Sequence, residues 1–271
     1  MEWSKLKNII ILILLLANLF LLVMVGAQEH STVRTQEKAI TDALAVLEHN
    51  GILLHREVIP DRIVLPPMSV TRDQESEAAL AEELLGSCAV SHLGGGRFLY
   101  ESELGQAEFR SNGNFSFLFF KGEHVAEHGN PDAHAVSTMA RIGFSGAPVS
   151  REEDGTQVTV TLCQSHLEIP VFSCQVSLQY RENALRSITG QRLMGSPSAD
   201  SDNTSITVPT ALLRILNGIT DLGDICSEIT EITPGYLLSS ADSLRMIPVW
   251  QVTTDTGIYT LNTLTGALDR A

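Results

Sequence analysis

The chain predicts an α+β protein, with a single N-terminal transmembrane helix followed by extracytoplasmic units of helix plus antiparallel sheet. Three observations lead there. One unbroken apolar run, Ile9–Val25, opens the sequence and has no counterpart later. Three helix-like stretches, each with a start or stop signal, precede groups of strand-like runs separated by Gly- and Asn-rich turns. The apolar fraction, 44%, suits packed cores rather than a disordered tail.

The run comes first in the chain and decides where the rest works. Leu6–Ala27 is long enough, at about 1.5 Å per residue, to cross a hydrocarbon core of about 30 Å. Lys5 and Lys7 precede it, and the next basic residue is Arg34. Positive charge stays on the cytoplasmic side, so the N-terminus is expected inside and the bulk of the chain outside. Val25-Gly26-Ala27 leaves a second possibility, a cleaved signal peptide, although such peptides usually have an apolar core of only about 7–15 residues. Either reading exports the remaining residues.

The net charge is −14, from 18 basic and 32 acidic residues. Such a surface repels nucleic acid and anionic lipid headgroups. The four cysteines, Cys88, Cys163, Cys174 and Cys226, show neither metal-ribbon nor CxxC spacing. Each lies in an apolar, strand-like segment and reads as a buried free thiol.

After the anchor, Thr35–Asn50 places Ala39, Ile40, Ala43, Leu44, Val46 and Leu47 on one helical face, with Gly51 as its stop. Pro60, Pro66 and Pro67 keep the next stretch extended. A helix over about Gln74–Leu85 ends at Gly86, and strands follow at Cys88–Leu93, Arg97–Glu101, Gln106–Arg110 and Phe115–Phe120. Asn130 then caps a helix with Pro131 in its first turn, reaching about Ile142. Strands are predicted over Gln157–Cys163, Pro170–Tyr180 and Leu185–Leu193. Residues 195–204, GSPSADSDNT, read as a polar linker. The third helix, Pro209–Asn217, precedes strands at about Ile225–Leu238, Ile247–Thr254 and Gly257–Thr263, the last two joined by a hairpin turn.

Catalytic candidates are few. His124-Val125-Ala126-Glu127-His128 matches H-x-x-E-H, in which two imidazoles one helical turn apart hold zinc and the glutamate acts as base; His134 lies nearby. That chemistry requires one well-formed helix, yet Gly129-Asn130-Pro131 follows immediately and a strand precedes. A solvated loop is therefore expected, with no metal, no cofactor and no catalytic residue. No G-x-S-x-G elbow occurs, and Gly94-Gly95-Gly96 lacks the lysine of a phosphate cradle and reads as a hairpin turn. Asn114-Phe115-Ser116 and Asn203-Thr204-Ser205 fit the glycosylation sequon. Asn18 is the one polar residue inside the apolar run. An amide in hydrocarbon seeks a partner, and interhelical bonds of this kind are worth about 0.6–2 kcal/mol.

The opening Met-Glu-Trp-Ser-Lys-Leu-Lys, followed by Leu-Ala-Asn-Leu-Phe-Leu within the apolar run, resembles the start of YycI proteins. Two later segments fit the same likeness: Glu168–Phe172 through Ser187–Gly190, and Ile247–Val252 with Gly257–Leu261 and Thr265-Gly266, which is similar to the ending of PepSY-like modules. The likeness covers the anchor and, patchily, residues 120–271. It implies a non-enzymatic, membrane-anchored regulator that acts, together with a YycH-like partner, on a sensor histidine kinase of the cell-wall-homeostasis type. By position it places the membrane and partner contact at Trp3, Leu6, Asn18 and Phe20. Neither nucleic acid nor a small-molecule substrate is expected. The chain then divides into an anchor (1–28), a first extracytoplasmic α+β domain (29–122) and a second, YycI/PepSY-like one (123–271). Two rivals remain: a PepSY-type inhibitor or chaperone of an exported peptidase, and a zinc hydrolase using His124 and His128.

Overall fold

The computed structural model describes residues 14, 15, 18, 35–60, 64–120, 122, 124–126, 129–200, 205–239 and 244–271. They form a mixed α+β structure built from helix-plus-meander units. The first helix, α1, spans 35–49 and buries Ile40, Ala43 and Leu47. It stops at Gly51, whose φ of 83° is left-handed. A two-residue strand, β1 (Leu53–Leu54), and a short 3-10 turn at Arg56–Val58 follow.

The first unit begins with β2 (Met68–Val70) and α2 (Gln74–Leu85). The Asp73 carboxylate caps α2 by accepting from the Ser76 amide at 3.1 Å, and Gly86, at φ 71°, ends it. Four strands then run up and down: β3 (Ala89–Gly94), β4 (Arg97–Glu101), β5 (Gly105–Phe109) and β6 (Asn114–Phe119). The second unit repeats the plan with α3 (Pro131–Arg141), β7 (Gly146–Asp154), β8 (Gln157–His166), β9 (Ile169–Arg181) and β10 (Ala184–Gln191). Its helix starts as the sequence predicts, with Asn130 accepting from the Ala133 amide at 3.2 Å and Pro131 in the first turn.

The two meanders meet through their last strands. β6 and β10 are antiparallel, with Ile188 opposite Phe117, which makes one antiparallel sheet in the order β3-β4-β5-β6-β10-β9-β8-β7. This pairing joins strands on either side of residue 122. α2 packs on β4 and β5, and α3 on β7 and β8. Between helices and sheet lies one apolar core that includes Leu84, Met139, Phe109, Phe117, Val160 and Leu178. Phe109, Phe115 and Phe117 contact one another edge-on or stacked, with centroids 5.8–6.0 Å apart. Fully burying such a ring stabilises by about 1.5–3 kcal/mol.

The third unit follows β11 (Pro197–Ala199). It comprises α4 (Val208–Asp221), β12 (Glu228–Ser239), β13 (Arg245–Thr254), β14 (Ile258–Asn262) and β15 (Leu268–Arg270). α1 and α4 share a second core with this meander, centred on Trp250, Tyr259, Leu212 and Leu47. The two sheets touch where β12 runs parallel to β9, with Tyr236 beside Val171.

Several strands depart from the sequence reading. Every residue of β7 after Gly146 is exposed, so that edge carries Arg151, Glu152, Glu153 and Asp154 without an apolar alternation to betray it. The stretch read as a linker supplies β11, which pairs with β2. α4 runs four residues past Asn217, through Gly218, because Gly218 lies flat against the Leu268 side chain. Among the described residues no helix is long and apolar enough to cross a membrane. The anchor expected at Ile9–Val25 falls largely outside those residues.

Candidate functional site

A cleft of about 730 Å³ opens between the start of α2, the end of α3 and the β8–β9 hairpin. Its polar lining includes Ser76, Gln164, Ser165, Arg192 and Ser196. Arg192 follows β10 and sits where the polypeptide crosses the core toward β11. Its backbone amide donates to the Gly113 carbonyl at 3.0 Å, which holds it at the sheet end. The next residue, Leu193, donates its amide to the buried Gln164 side-chain oxygen at 2.9 Å. Gly195 lies so close to α2's entry that a Cβ there would stand 1.9 Å from the Thr71 carbonyl oxygen. The Asp73 amide donates to the Met194 carbonyl at 2.8 Å. Together these bonds fix Arg192 beside the helix start.

Charged groups cluster at this place. Glu77, on the first turn of α2, is buried, and both its oxygens accept from Arg72: Nε at 2.6 Å and Nη2 at 2.8 Å. Arg72 is further engaged by the Gly96 carbonyl at 2.7 Å and by the Phe98 ring, whose centroid lies 5.0 Å away. Arg192 is only 7% exposed; its Nε reaches the Leu193 carbonyl at 3.3 Å, and its Nη1 has no hydrogen-bond partner among the described residues. Burial pushes its guanidinium down to about 10, partly offset by the Glu77 charge. Arg72 and Arg192 thus share the field of Glu77, while Asp73, Glu168 and Arg141 line the cleft itself.

The hairpin at the cleft rim is unusual as well. Leu167 and Glu168 have φ of 50° and 67°, left-handed values that a type I′ turn requires and that Asn and Gly adopt most easily. Leu167 nevertheless leaves 77% of its surface uncovered.

The residues singled out by sequence fall in different places. Trp3, Leu6 and Phe20 lie outside the described residues. Asn18 is helical, and its Nδ2 donates to the Leu14 carbonyl, four residues back, at 3.0 Å. That bond uses one of its two N–H groups. Leu14 and Leu15 are exposed. His124, Val125 and Ala126 are not helical: Val125 forms an isolated bridge with Ala184, and the His124 Nε2 donates to the Leu84 carbonyl at 3.0 Å. The helix that the zinc pattern needs is absent there, because this segment satisfies a terminal carbonyl of α2 instead. Glu127 and His128 lie outside the described residues. His134 is on α3, hydrogen bonded to the Tyr180 hydroxyl at 3.0 Å. No group of three metal-ligating side chains occurs among the described residues. The four thiols are unpaired with one another, and all but Cys88 are buried. Asn114 lies half-buried on β6, and Asn203 is outside the described residues. Gly94–Gly96 form the β3–β4 turn.

Sequence reasoning missed Arg192 and Glu77. Arg192 ends a strand-like run and Glu77 sits in an acidic helix start, where charges ordinarily face water. The one available signal was Arg192's position between Gln191 and the apolar pair Leu193-Met194.

The architecture defines an α+β protein of repeated helix-and-meander units with a polar cleft between the first two. No family model matches the chain, and no curated protein matches it. Solved structures similar to it include an uncharacterized protein from Eubacterium rectale, with a TM-score of 0.44 and 11% identity over 77% of this chain and 86% of that one. The C-terminal domain of YpeB from Bacillus megaterium gives a TM-score of 0.38 and 10% identity over 74% of this chain and 98% of that one.

Proposed function

We propose that this chain is a membrane-anchored, non-enzymatic regulator that modulates a sensor histidine kinase through its transmembrane helix and its extracytoplasmic units. One observation carries the reading: the apolar run Ile9–Val25, flanked by Lys5 and Lys7, precedes an acidic α+β region. The resemblance of that run and of residues 168–190 and 247–266 to YycI proteins supports the choice of partner. A YycH-like protein would be the second component.

The mechanism is a bias between two arrangements of the kinase's helices. A bound regulator shifts such an equilibrium only by its difference in affinity for the two states, typically about 1–3 kcal/mol. Asn18 retains one N–H and its carbonyl oxygen for a neighbouring helix after bonding to Leu14.

The test replaces residues 6–27 with an unrelated transmembrane helix and measures kinase output in cells. Altered output at equal surface abundance supports contact through the helix. Unchanged output refutes it. Recovery of an exported peptidase instead of a kinase in pull-downs would favour an inhibitor or chaperone role, to which the PepSY-like ending at residues 247–266 corresponds.

A further inference from the structure

We infer that the open face where the two sheets join is a docking groove for a basic polypeptide segment of another protein, one that sets an apolar side chain between lysines or arginines. The inference is independent of the kinase reading and of the membrane helix. The start of β9 runs beside β12, so β7, β8 and β9 continue into β12, β13 and β14. A groove of about 760 Å³ lies across this join. Its residues Glu231, Thr233, Gln251 and Ile258 alternate along their strands with Ile232, Val252 and Tyr259 of the core, which places the groove on the face away from α4. The volume falls within the range of about 300–1,000 Å³ that ligand pockets occupy.

The occupant's chemistry follows from the lining. Phe172 lies half-buried against Gly235 of β12, where a Cβ would stand 2.3 Å from the ring's Cε2; the glycine lets the ring bridge the two sheets. Ala147, Val149, Pro170 and Ile258 extend this apolar surface, and Val149 and Ile258 keep 54% and 44% of theirs exposed. Covering such surface stabilises a complex by about 25 cal/mol per Å². The charged residues of the groove are both acidic: Glu168 on the β8–β9 turn and Glu231 on β12. No lysine or arginine lines it, and neither carboxylate forms an ion pair among the described residues. The Glu231 carboxylate accepts from the Thr233 hydroxyl at 2.9 Å, which orients it within the lining. Two carboxylates on different elements, with apolar surface from Phe172 and Ile258 in the same groove, complement cations on either side of an apolar residue. Gln175, Thr233 and Gln251 offer amide and hydroxyl groups for the segment's main chain.

Fluorescence anisotropy tests this with the full chain held in phosphatidylcholine nanodiscs, empty nanodiscs serving as the blank. The probes are three labelled peptides, Lys-Val-Phe-Val-Lys, Ser-Val-Phe-Val-Ser and Glu-Val-Phe-Val-Glu. At low salt the lysine peptide should bind at least about fivefold more tightly than the serine peptide, and the glutamate peptide least tightly; added salt should narrow the difference. The double change Glu168→Gln with Glu231→Gln should bring the lysine peptide to the affinity of the serine one. Glu48→Gln with Glu75→Gln removes the same charge from exposed positions outside the groove and should leave binding unchanged. Ile258→Lys, at an exposed position that spares the core, should abolish binding of the lysine peptide. Equal affinity for the lysine and serine peptides, no binding of any peptide, equal losses in the two double variants, or full binding in Ile258→Lys would overturn the inference.

Discussion

Arg72 grips Glu77 with two nitrogens, at 2.6 and 2.8 Å, inside the wall that joins α2 to the first meander. The pair is nearly sealed: the side chains keep 14% and 3% of their surface exposed. Glu77→Gln would leave the Arg72 and Arg192 charges buried without a compensating carboxylate. Breaking a buried pair from one side costs about 3–5 kcal/mol, and urea unfolding of the variant should show a loss of that size. A loss under about 1 kcal/mol would mean that water reaches the pair.

Cys174 predicts a pH dependence. It lies in the core of β9, and burial pushes its thiol from 9.0 up to about 12. The thiol's folded value lies above its unfolded one. Its contribution to stability is therefore complete below about pH 9 and is lost as pH rises toward 12, because the unfolded chain ionises there while the folded chain cannot. The slope from this one group is about 1.4 kcal/mol per pH unit within that window. Cys174→Ala should flatten the alkaline decline by this amount, measured as urea midpoints at successive pH values. In the native protein at neutral pH, Cys88 should react with iodoacetamide before Cys174, since only Cys88 is partly exposed.

Gly190 holds the middle of the largest sheet. A Cβ there would stand 2.1 Å from the Gln175 carbonyl oxygen and 2.7 Å from the Val176 Cα, both backbone atoms of β9. Neither can move without breaking the β9–β10 ladder. Gly190→Ala should destabilise the fold by about 1–3 kcal/mol in thermal unfolding, as overpacking does. Gly155, whose Cβ would meet nothing within 4 Å, provides the contrast: its penalty comes only from its φ of 60°.

His124 closes the end of α2. Its Nε2–H is spent on the Leu84 carbonyl, and its ring meets Phe119 edge-on with centroids 4.9 Å apart. His124→Ala should cost about 1 kcal/mol of stability in urea unfolding. The zinc content of the purified protein should be the same before and after the change. A stoichiometric zinc lost on substitution would restore the hydrolase reading.

Much of the helix pattern was legible because punctuation residues act locally. Gly86 and the Asn130-Pro131 pair mark helix ends at the positions predicted, and Thr254–Gly257 joins β13 to β14 as a tight turn. Strand boundaries in the meanders fell within a few residues for the same reason. The edge strand β7 escaped because all its residues after Gly146 stay exposed, so no alternation records it. β2 and β11 escaped because each is too short to show a period, and only pairing, of β2 with β11 and β13, defines them. The cleft was illegible for a deeper reason. Arg192, Ser76 and Ser165 are far apart in the chain, and their meeting depends on how β6 and β10 join the two units. Burial of a charge leaves no mark on its neighbours in sequence.

The most direct test of the regulator reading is photo-crosslinking in living cells from positions 17 and 19, which flank Asn18, with mass-spectrometric identification of what is captured. The account predicts a sensor histidine kinase, attached through its own transmembrane helix, and loss of that crosslink when Asn18 is changed to Leu. Crosslinks to lipid alone, or a mature protein lacking residues 1–27, would contradict it.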